Sequence, residues 1–249
     1  MKKIVVLGML LFGLVTIGHA KKLKPLSLND TLKVKAKLLH QVDFAKDSLT
    51  KWIPEIVDDS GRGVFVNDGR MEVEVGNGCT VWFNEKLTGP IMIEYDAVVI
   101  DNEGEFDRVS DLNCFWMATD PQYPDDMFKQ SEFRSGDFSN YTPLSLYYVG
   151  YGGNKNKTTR FRRYDGKGNR PLLEENDLRD PQYLIKANET YKIRLVAYEG
   201  VIQYYRNGEL IFDFFDPDPF TSGYFGLRTV RNHLSLDNFK VYSLKRTSH

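Results

Sequence analysis

The sequence predicts an all-β protein built as an antiparallel β-sandwich, and three observations support that prediction. Aromatic residues make up 13% of the 249 residues, with 14 Tyr and 16 Phe, a composition that favours sheet over helix. Apolar residues recur in short alternating or continuous runs, and Gly, Asn, Asp and Pro separate most of them. No segment between these runs has the periodicity of a three-turn helix. The chain length suits one large all-β domain.

Eleven apolar runs are predicted to be strands, and their spacing is typical of a sandwich. They cover residues 64–75, 79–84, 91–100, 112–118, 144–151, 158–164, 191–198, 201–205, 209–214, 223–230 and 236–244. Asn207-Gly208 predicts a two-residue type I′ hairpin, because both residues tolerate positive φ. The polar stretch 120–141, which is rich in turn residues, is predicted to be a long functional loop.

The amino-terminal segment has the three-part pattern of a secretory signal peptide. Two lysines precede an apolar run over residues 4–17, and small residues stand one and three positions before a cut after Ala20. The run is too short to span a bilayer comfortably, and lysines follow it at once. We therefore expect residues 1–20 to be a signal peptide, 21–38 a basic, irregular tether and 39–249 a single domain, located in the periplasm or secreted.

The charge balance excludes two classes of partner. The chain has 33 basic and 34 acidic residues, a formal net charge of −1, and loss of the leader with its two lysines makes it slightly more acidic. This balance gives no electrostatic footprint for nucleic acid or for an anionic membrane. No later run is apolar for long enough to span a membrane. No cofactor is predicted.

Two features of the sequence leave alternatives open. Cys79 and Cys114 are the two cysteines, and in an oxidising compartment they either pair or remain buried free thiols. Acidic residues cluster between positions 101 and 111, and this run is either a solvated loop or a structural calcium site. Its members are Asp101, Glu103, Glu105, Asp107 and Asp111.

Eight segments carry a family resemblance. They are residues 91–96 (IMIEYD), 112–118 (LNCFWMA), 133–136 (FRSG), 147–154 (YYVGYGGN), 159–164 (TRFRRY), 207–208 (NG), 223–229 (GYFGLRT) and 238–241 (NFKV). Together they resemble a concanavalin A-like (jelly-roll) family of exported bacterial polysaccharide-utilisation proteins, many of unknown function. Related sandwiches are found beside rhamnogalacturonan and other pectin lyases. The resemblance covers nearly all the chain after about residue 41 and implies the fold and a polysaccharide or oligosaccharide partner. It supplies no catalytic residue.

In such sandwiches a sugar chain usually lies on the concave face of one curved sheet, and strand alternation predicts which side chains meet it. Arginine side chains are predicted to bind a uronate carboxylate, because the guanidinium fork matches it. An aromatic ring would stack on a sugar. The predicted substrate-binding residues are Trp116, Arg134, Arg160, Arg162, Tyr164 and Arg228. The alternative is that the arginines are ordinary residues of a half-buried sheet and that the indole lies in the core.

The first functional hypothesis is a polysaccharide lyase that acts on an acidic, uronate-containing plant glycan such as a pectic or rhamnogalacturonan polymer. Its base and acid are predicted among Tyr147, Tyr151 and His233, with an arginine that neutralises the uronate. The first alternative is a non-catalytic carbohydrate-binding protein, and in that case the histidine is a structural loop residue. The second alternative is a glycoside hydrolase, which needs two carboxylates across the scissile bond. The Glu-x-Asp-x-x-Glu arrangement of concanavalin-like glucanases does not occur, since no Glu follows Glu94 and Asp96 at the required spacing.

Overall fold

The computed structural model describes residues 25–247, so the predicted signal peptide and the first residues of the predicted tether lie outside the described residues. In chain order the strands are β1 (Leu26–Ser27), β2 (Lys33–Gln41), β3 (Trp52–Ile56), β4 (Gly63–Asn67), β5 (Arg70–Thr88), β6 (Ile91–Val99), β7 (Asn113–Thr119), β8 (Ser145–Gly152), β9 (Thr158–Asp165), β10 (Asp177–Leu178), β11 (Thr190–Tyr198), β12 (Val201–Arg206), β13 (Glu209–Phe215) and β14 (Ser222–Arg246). The helical segments of the described chain are two single turns, α1 (Ser131–Arg134) and α2 (Gly153–Asn156, in which Asn154 and Lys155 have positive φ), and the 3₁₀ turns Leu49–Lys51, Met127–Gln130, Phe138–Tyr141, Glu174–Asn176 and Pro181–Tyr183. Within residues 25–247 no helix is long and apolar enough to cross a bilayer.

The strands form two layers that share the long strands β5 and β14. The front layer has the order β10-β9-β8-β7-β14-β5-β3. The back layer has the order β13-β12-β11-β6-β14, and β14 continues there to β5 and β4 along its middle and to β2 and β1 along its last residues. All of these pairs are antiparallel. Strand β14 belongs to both layers because its first half pairs with β7 and its second half with β6 and β2. The predicted antiparallel sandwich is confirmed.

The main core lies between the two layers, as in other face-to-face sheet packings. Trp116 and Phe161 project from the front layer into this core, where the ring of Phe161 lies 6.0 Å from the ring of Phe212 in the back layer. Cys79 and Cys114 are both free and buried in the same core, and burial raises the pKa of each thiol to about 12. The free-thiol alternative therefore holds for both cysteines.

A second apolar cluster covers the opposite, outer face of the front layer. Trp82, Phe115 and Tyr148 project from strands of this layer, and Met127 and Tyr141 pack on them from the connection between β7 and β8. That connection, residues 120–144, is the predicted long loop, and its 3₁₀ turns and α1 lie over the sheet. The loop therefore covers part of the face that would otherwise be open to a ligand.

The basic segment 21–38 was expected to be an irregular tether, and this expectation is wrong for residues 33–38. These residues begin β2, which pairs with the second half of β14. Val34 is fully buried in a cluster on the outer face of the back layer, whereas the lysines that alternate with it stay exposed. The segment is thus an outer strand whose lysines face solvent, a pattern that suits strands near a sheet edge.

The predicted hairpin is confirmed between β12 and β13. Asn207 has φ 52° and Gly208 has φ 85°, the two positive values that a type I′ turn requires. Arg206 and Glu209 form the first pair of the ladder.

Candidate functional site

Strand alternation predicts that Arg160, Arg162 and Tyr164 share one face of their strand and that Tyr147 and Tyr151 share one face of theirs. The structure keeps both groups and places them on opposite faces of the front layer. Trp116, Tyr147 and Tyr151 point into the core between the layers, and each is 0% exposed. Arg160 and Arg162 of β9 point to the outer face, opposite Gly150 and Tyr148 of β8. A ligand on the outer face therefore cannot reach the predicted base, acid and stacking ring. The stacking role predicted for Trp116 is wrong, because its ring packs 5.5 Å from that of Tyr147 in the core.

The catalytic roles predicted for Tyr147 and Tyr151 are wrong for the same reason. The Tyr147 hydroxyl donates to Asp216 Oδ2 at 2.7 Å, and the Tyr151 hydroxyl donates to the Leu184 carbonyl at 3.2 Å. Burial is the main cause that raises the pKa of both phenols well above their ordinary value. Both therefore remain protonated and serve as internal hydrogen-bond donors.

His233 lies in a separate carboxylate cluster. Its Nδ1 is 3.1 Å from Asp107 Oδ1 and its Nε2 is 3.1 Å from Glu72 Oε2. On β14 it lies beyond Arg228, the last residue of that strand that pairs with β7. The structure does not bring His233 together with the arginines of β9, and its role is to tie the loop 101–111 to β5 and β14.

Arg134 and Arg228 were predicted to bind substrate, and in the structure the protein itself binds most donors of both guanidinium groups. Each side chain is 1% exposed. Arg134, on α1, forms a bidentate ion pair with Glu55, with its Nη2 2.6 Å from Oε1. Arg228 donates to the Gly136 carbonyl at 2.9 Å, so both guanidinium groups fasten the 120–144 loop to the sheet. The partners of both arginines are distant in the sequence, so this role could not be predicted from the sequence alone.

Tyr164 also shares the outer face with the arginines, as predicted, but it is fully buried. Its hydroxyl accepts a hydrogen bond from Arg170 Nη1 at 3.2 Å, and its ring lies 5.9 Å from that of Tyr148. Tyr164 therefore supports the residues above it and does not contact a ligand directly.

Arg160 and Arg162 line a polar depression of about 230 Å³, which we call the arginine pocket. It opens beside the 120–144 loop, on the outer face of β8 and β9. The residues that line it are Asp111, Phe138, Tyr148, Gly150, Gly153, Asn154, Thr158, Arg160, Arg162 and Arg170. Arg160 and Arg162 are both half-buried, so they are neither sealed in the core nor free on an open surface.

The arginine pocket carries an excess of positive charge. Arg160 Nε donates to Asp177 Oδ1 at 2.8 Å. Within residues 25–247, Arg162 and Arg170 form no salt bridge, and Arg162 donates instead to the Arg170 carbonyl. Partial burial, followed by the charges of Arg170 and Arg160, lowers the pKa of Arg162. An anion in this pocket would relieve that repulsion, and it would meet guanidinium groups whose donors are not used by carboxylates.

Aromatic rings and a glycine shape the walls of the arginine pocket. The rings of Phe138 and Tyr148 lie 5.6 Å apart, and the Arg170 guanidinium lies 5.3 Å from the Phe138 ring. Gly150 has no side chain there, and a Cβ atom would lie 2.4 Å from the Tyr148 hydroxyl. Burial is the main cause that raises the pKa of Tyr148 well above its ordinary value, so its hydroxyl stays a donor. The pocket thus combines cationic donors with apolar ring surface.

The acidic run 101–111 uses its buried carboxylates internally. Asp107 accepts the backbone N–H groups of Asn102 and Gly104, and Asp111 accepts from Arg108. Among residues 25–247 no group of three or more His, Cys, Asp or Glu side chains converges as a metal site requires.

A larger depression of about 550 Å³ lies on the outer face of the back layer. Its guanidinium group, Arg194, is bound by Glu94 at 2.8 Å, and Asp96 accepts a hydrogen bond from Asn238. Glu94 and Asp96, the pair considered for a hydrolase, are thus both bound by neighbours. Lys192 and Lys240 also line this depression, but Glu94 and Asp96 supply two carboxylates, so it has a smaller excess of positive charge than the arginine pocket.

Sequence reasoning missed Phe138, Tyr148 and Arg170. Tyr148 was placed on the face opposite Tyr147, which is correct, but nothing in the pattern indicated which of the two faces meets solvent. Arg170 and Phe138 lie in connections, at positions that alternation does not describe. The cross-strand register that joins Tyr148 to Arg162 appears only in the structure.

The sequence pattern of DUF6250, described as a domain of unknown function, matches residues 73–239. No curated protein matches the chain. Among solved structures, a Bacillus subtilis protein of unknown function with a galectin-like fold is similar at 18% identity and a TM-score of 0.62, over 85% of this chain and all of that one. The carbohydrate-binding module CBM66 from Bacillus subtilis is similar at 15% identity and a TM-score of 0.50, over 78% and 96%. An endo-β-1,3-glucanase from Pyrococcus furiosus is similar at 10% identity and a TM-score of 0.55, over 88% and 97%. These likenesses confirm the predicted concanavalin A-like fold.

Proposed function

The chain belongs to the DUF6250 family, and we propose that it is an exported protein that binds an acidic, uronate-containing glycan in the arginine pocket. The observation that carries this proposal is the pair Arg162 and Arg170, whose guanidinium groups are half-buried beside aromatic rings and have no carboxylate partner among residues 25–247. A carboxylate ligand supplies the missing acceptors in the bidentate geometry that arginine favours. The rings of Phe138 and Tyr148 offer apolar surface to the C–H face of a sugar.

Two of the proteins with this fold support a carbohydrate ligand, since one is a carbohydrate-binding module and one is a glucanase. Fold alone does not determine function, so the chemistry of the pocket selects the ligand class. Asp177 neutralises Arg160 and Arg108 binds Asp111, which leaves Arg162 and Arg170 as two guanidinium groups without a carboxylate partner in the described part of the chain; this excess favours an anionic sugar over a neutral one.

The test is binding to sodium polygalacturonate, with fully methyl-esterified polygalacturonate as the neutral probe of the same sugar. Arg162→Gln and Arg170→Gln are expected to weaken binding to the acidic polymer about tenfold to a hundredfold, because each removes hydrogen bonds to a charged group worth about 1.5–3 kcal/mol. Arg246→Gln makes the same charge change at an exposed position of the back layer and should bind as the wild type does. Equal binding to the charged and esterified polymers would refute the proposal.

Lyase activity is the second candidate, favoured by one observation. Tyr148 places a hydroxyl at the arginine pocket, where an acid for the leaving oxygen is needed, but burial raises its pKa and so makes it a weak acid. A base is harder to assign, because Asp111 is bound by Arg108. Incubation with polygalacturonate separates the activities: absorbance of a 4,5-unsaturated uronate indicates a lyase, reducing ends without it indicate a hydrolase, and binding without either product indicates a binding protein.

A further inference from the structure

The 120–144 loop encloses a second depression of about 320 Å³, which we call the loop pocket. Its lining residues that carry polar or aromatic groups are Asp120, Gln122, Gln130, Phe133, Arg134 and Asn140. The volume lies at the lower end of the range for small-molecule sites. None of these residues lines the arginine pocket.

One buried donor of Arg134, a residue that lines the loop pocket, has no partner among residues 25–247. Arg134 is 1% exposed, and its Nη1 has no hydrogen-bond acceptor among residues 25–247. The nearest carboxylate oxygen, Asp120 Oδ2, is 3.7 Å away, beyond hydrogen-bond distance. Buried donors of this kind are normally satisfied, so the position calls for an acceptor oxygen from a ligand or a water molecule.

The charge of the loop pocket excludes an anion as the occupant. Glu55 already binds Arg134 through two donors, and Asp120 adds a second carboxylate beside the same guanidinium group. A third negative charge would have no cation left to pair with. Three side-chain amides, from Gln122, Gln130 and Asn140, both donate and accept, which suits hydroxyl groups.

An exposed aromatic ring stands at the edge of the loop pocket. Phe133 is 65% exposed, and its neighbours in the sequence are polar. Its carbonyl accepts a hydrogen bond from Asn140 Nδ2 at 3.0 Å, which fixes the backbone that carries the ring. An apolar ring next to hydroxyl-binding amides matches the two faces of a sugar ring, one of C–H groups and one of hydroxyls.

The two pockets lie along the same strand. Leu144, immediately before β8, lines the loop pocket, and Tyr148 lines the arginine pocket on the same face of β8. Four residues of extended chain span roughly 13 Å at about 3.3 Å per residue. One short oligosaccharide segment can therefore reach both.

We infer that the loop pocket is a second glycan subsite, and that it takes a neutral, hydroxyl-rich sugar unit of the same chain whose uronate occupies the arginine pocket. The part of this inference that concerns the uronate rests on the proposed function. The part that concerns the neutral sugar rests on the loop pocket alone. The protein therefore prefers a glycan that alternates acidic and neutral sugars over one that is acidic throughout.

The test compares two probes, polygalacturonate, which is acidic throughout, and rhamnogalacturonan, whose backbone alternates uronate with neutral rhamnose. Phe133→Ala is expected to weaken rhamnogalacturonan binding about two- to tenfold, the range for loss of one aromatic contact, and to leave polygalacturonate binding unchanged. Phe215→Ala is the matched control, since Phe215 is 69% exposed on β13, and it should bind both probes as the wild type does. Because Phe133 is exposed, its variant keeps the fold.

The outcomes separate the two proposals. If Phe133→Ala binds rhamnogalacturonan as the wild type does, a buried water satisfies Arg134 and the second subsite is refuted. If Phe133→Ala weakens rhamnogalacturonan binding while Arg162→Gln weakens neither probe, the subsite stands and the acidic-glycan function fails. If the wild type binds neither probe, both proposals fail.

Discussion

Glu55→Gln tests whether Arg134 is a structural anchor. The substitution keeps the shape of the side chain but removes the charge that Arg134 contacts at 2.6, 3.1 and 3.2 Å. The Tyr141 hydroxyl, which donates to the same carboxylate, also loses its charged acceptor. Both members of the ion pair are 1% exposed, so the guanidinium group would be left buried with Asp120, at 3.7 Å, as its one nearby carboxylate among the described residues and the Met127 carbonyl as a neutral acceptor. We expect the free energy of unfolding to fall by about 3–5 kcal/mol, the cost of breaking a buried ion pair from one side.

The assay is urea unfolding followed by tryptophan fluorescence, with thermal unfolding as a second measure. In a chain of this size the expected loss corresponds to a fall in Tm of about 6–20 °C. Glu189→Gln is the control, because it removes a carboxylate from an exposed pair with Lys186, and its effect should stay within about 0.5 kcal/mol. If Glu55→Gln lies within about 1 kcal/mol of the wild type, Arg134 does not anchor the loop, and its predicted contact with a ligand becomes an open question again.

Three further predictions follow from the same contacts. The hydrogen bond from Arg160 lowers the pKa of Asp177 from 3.8 to about 2, so its stabilisation is present above about pH 4 and disappears as the pH falls through 2. Asp177→Asn should therefore lose up to about 2 kcal/mol at pH 7, and urea unfolding should show this difference shrinking towards pH 2; a constant difference would contradict the assignment. Gly136→Ala should lower the free energy of unfolding by about 1–3 kcal/mol, since φ is +79° and a Cβ atom would lie 2.5 Å from a carbonyl oxygen of β5; a smaller loss in urea unfolding would contradict this contact. Cys79 and Cys114, whose thiol pKa is about 12, should not react with a thiol reagent at pH 8 until the protein is unfolded. In denaturing gel electrophoresis the protein should run at the same position with and without reductant, and a shift on reduction would indicate a disulfide.

The strands and the hairpin could be predicted because a period of two residues and an Asn-Gly turn are local properties. The way in which two predicted strands join into one could not be predicted. Residues 223–230 and 236–244 were predicted as two strands, and Arg231-Asn232-His233 between them has the polarity of a turn. In the structure these residues continue β14, with a register shift between Val230 and Asn232 as the strand passes from one layer to the other. A bulge of this kind bends a strand without ending it.

The site was harder to predict because both faces of the front layer are buried. All eight residues of β8 are buried, so the usual rule that one face is apolar and the other is polar does not apply. Alternation therefore states that Tyr147 and Tyr151 share a face, and that Arg160 and Arg162 share another, but it cannot state which face a ligand meets. That depends on what covers each face, and the cover is a loop distant in sequence.

The 120–144 loop decides which arginines remain for a ligand. Arg134 and Arg228 lie under the loop, and there the protein itself binds most of their donors; Glu55 and the Gly136 carbonyl provide acceptors. Arg162 and Arg170 lie at the edge of the loop, where solvent can satisfy a guanidinium group when no ligand is bound. A ligand displaces water from a guanidinium group more readily than it displaces a buried carboxylate that is already bound there. These arginines can therefore exchange water for a ligand. The loop thus removes Arg134 and Arg228 from the site and leaves Arg162 and Arg170 available for the acidic sugar that we propose.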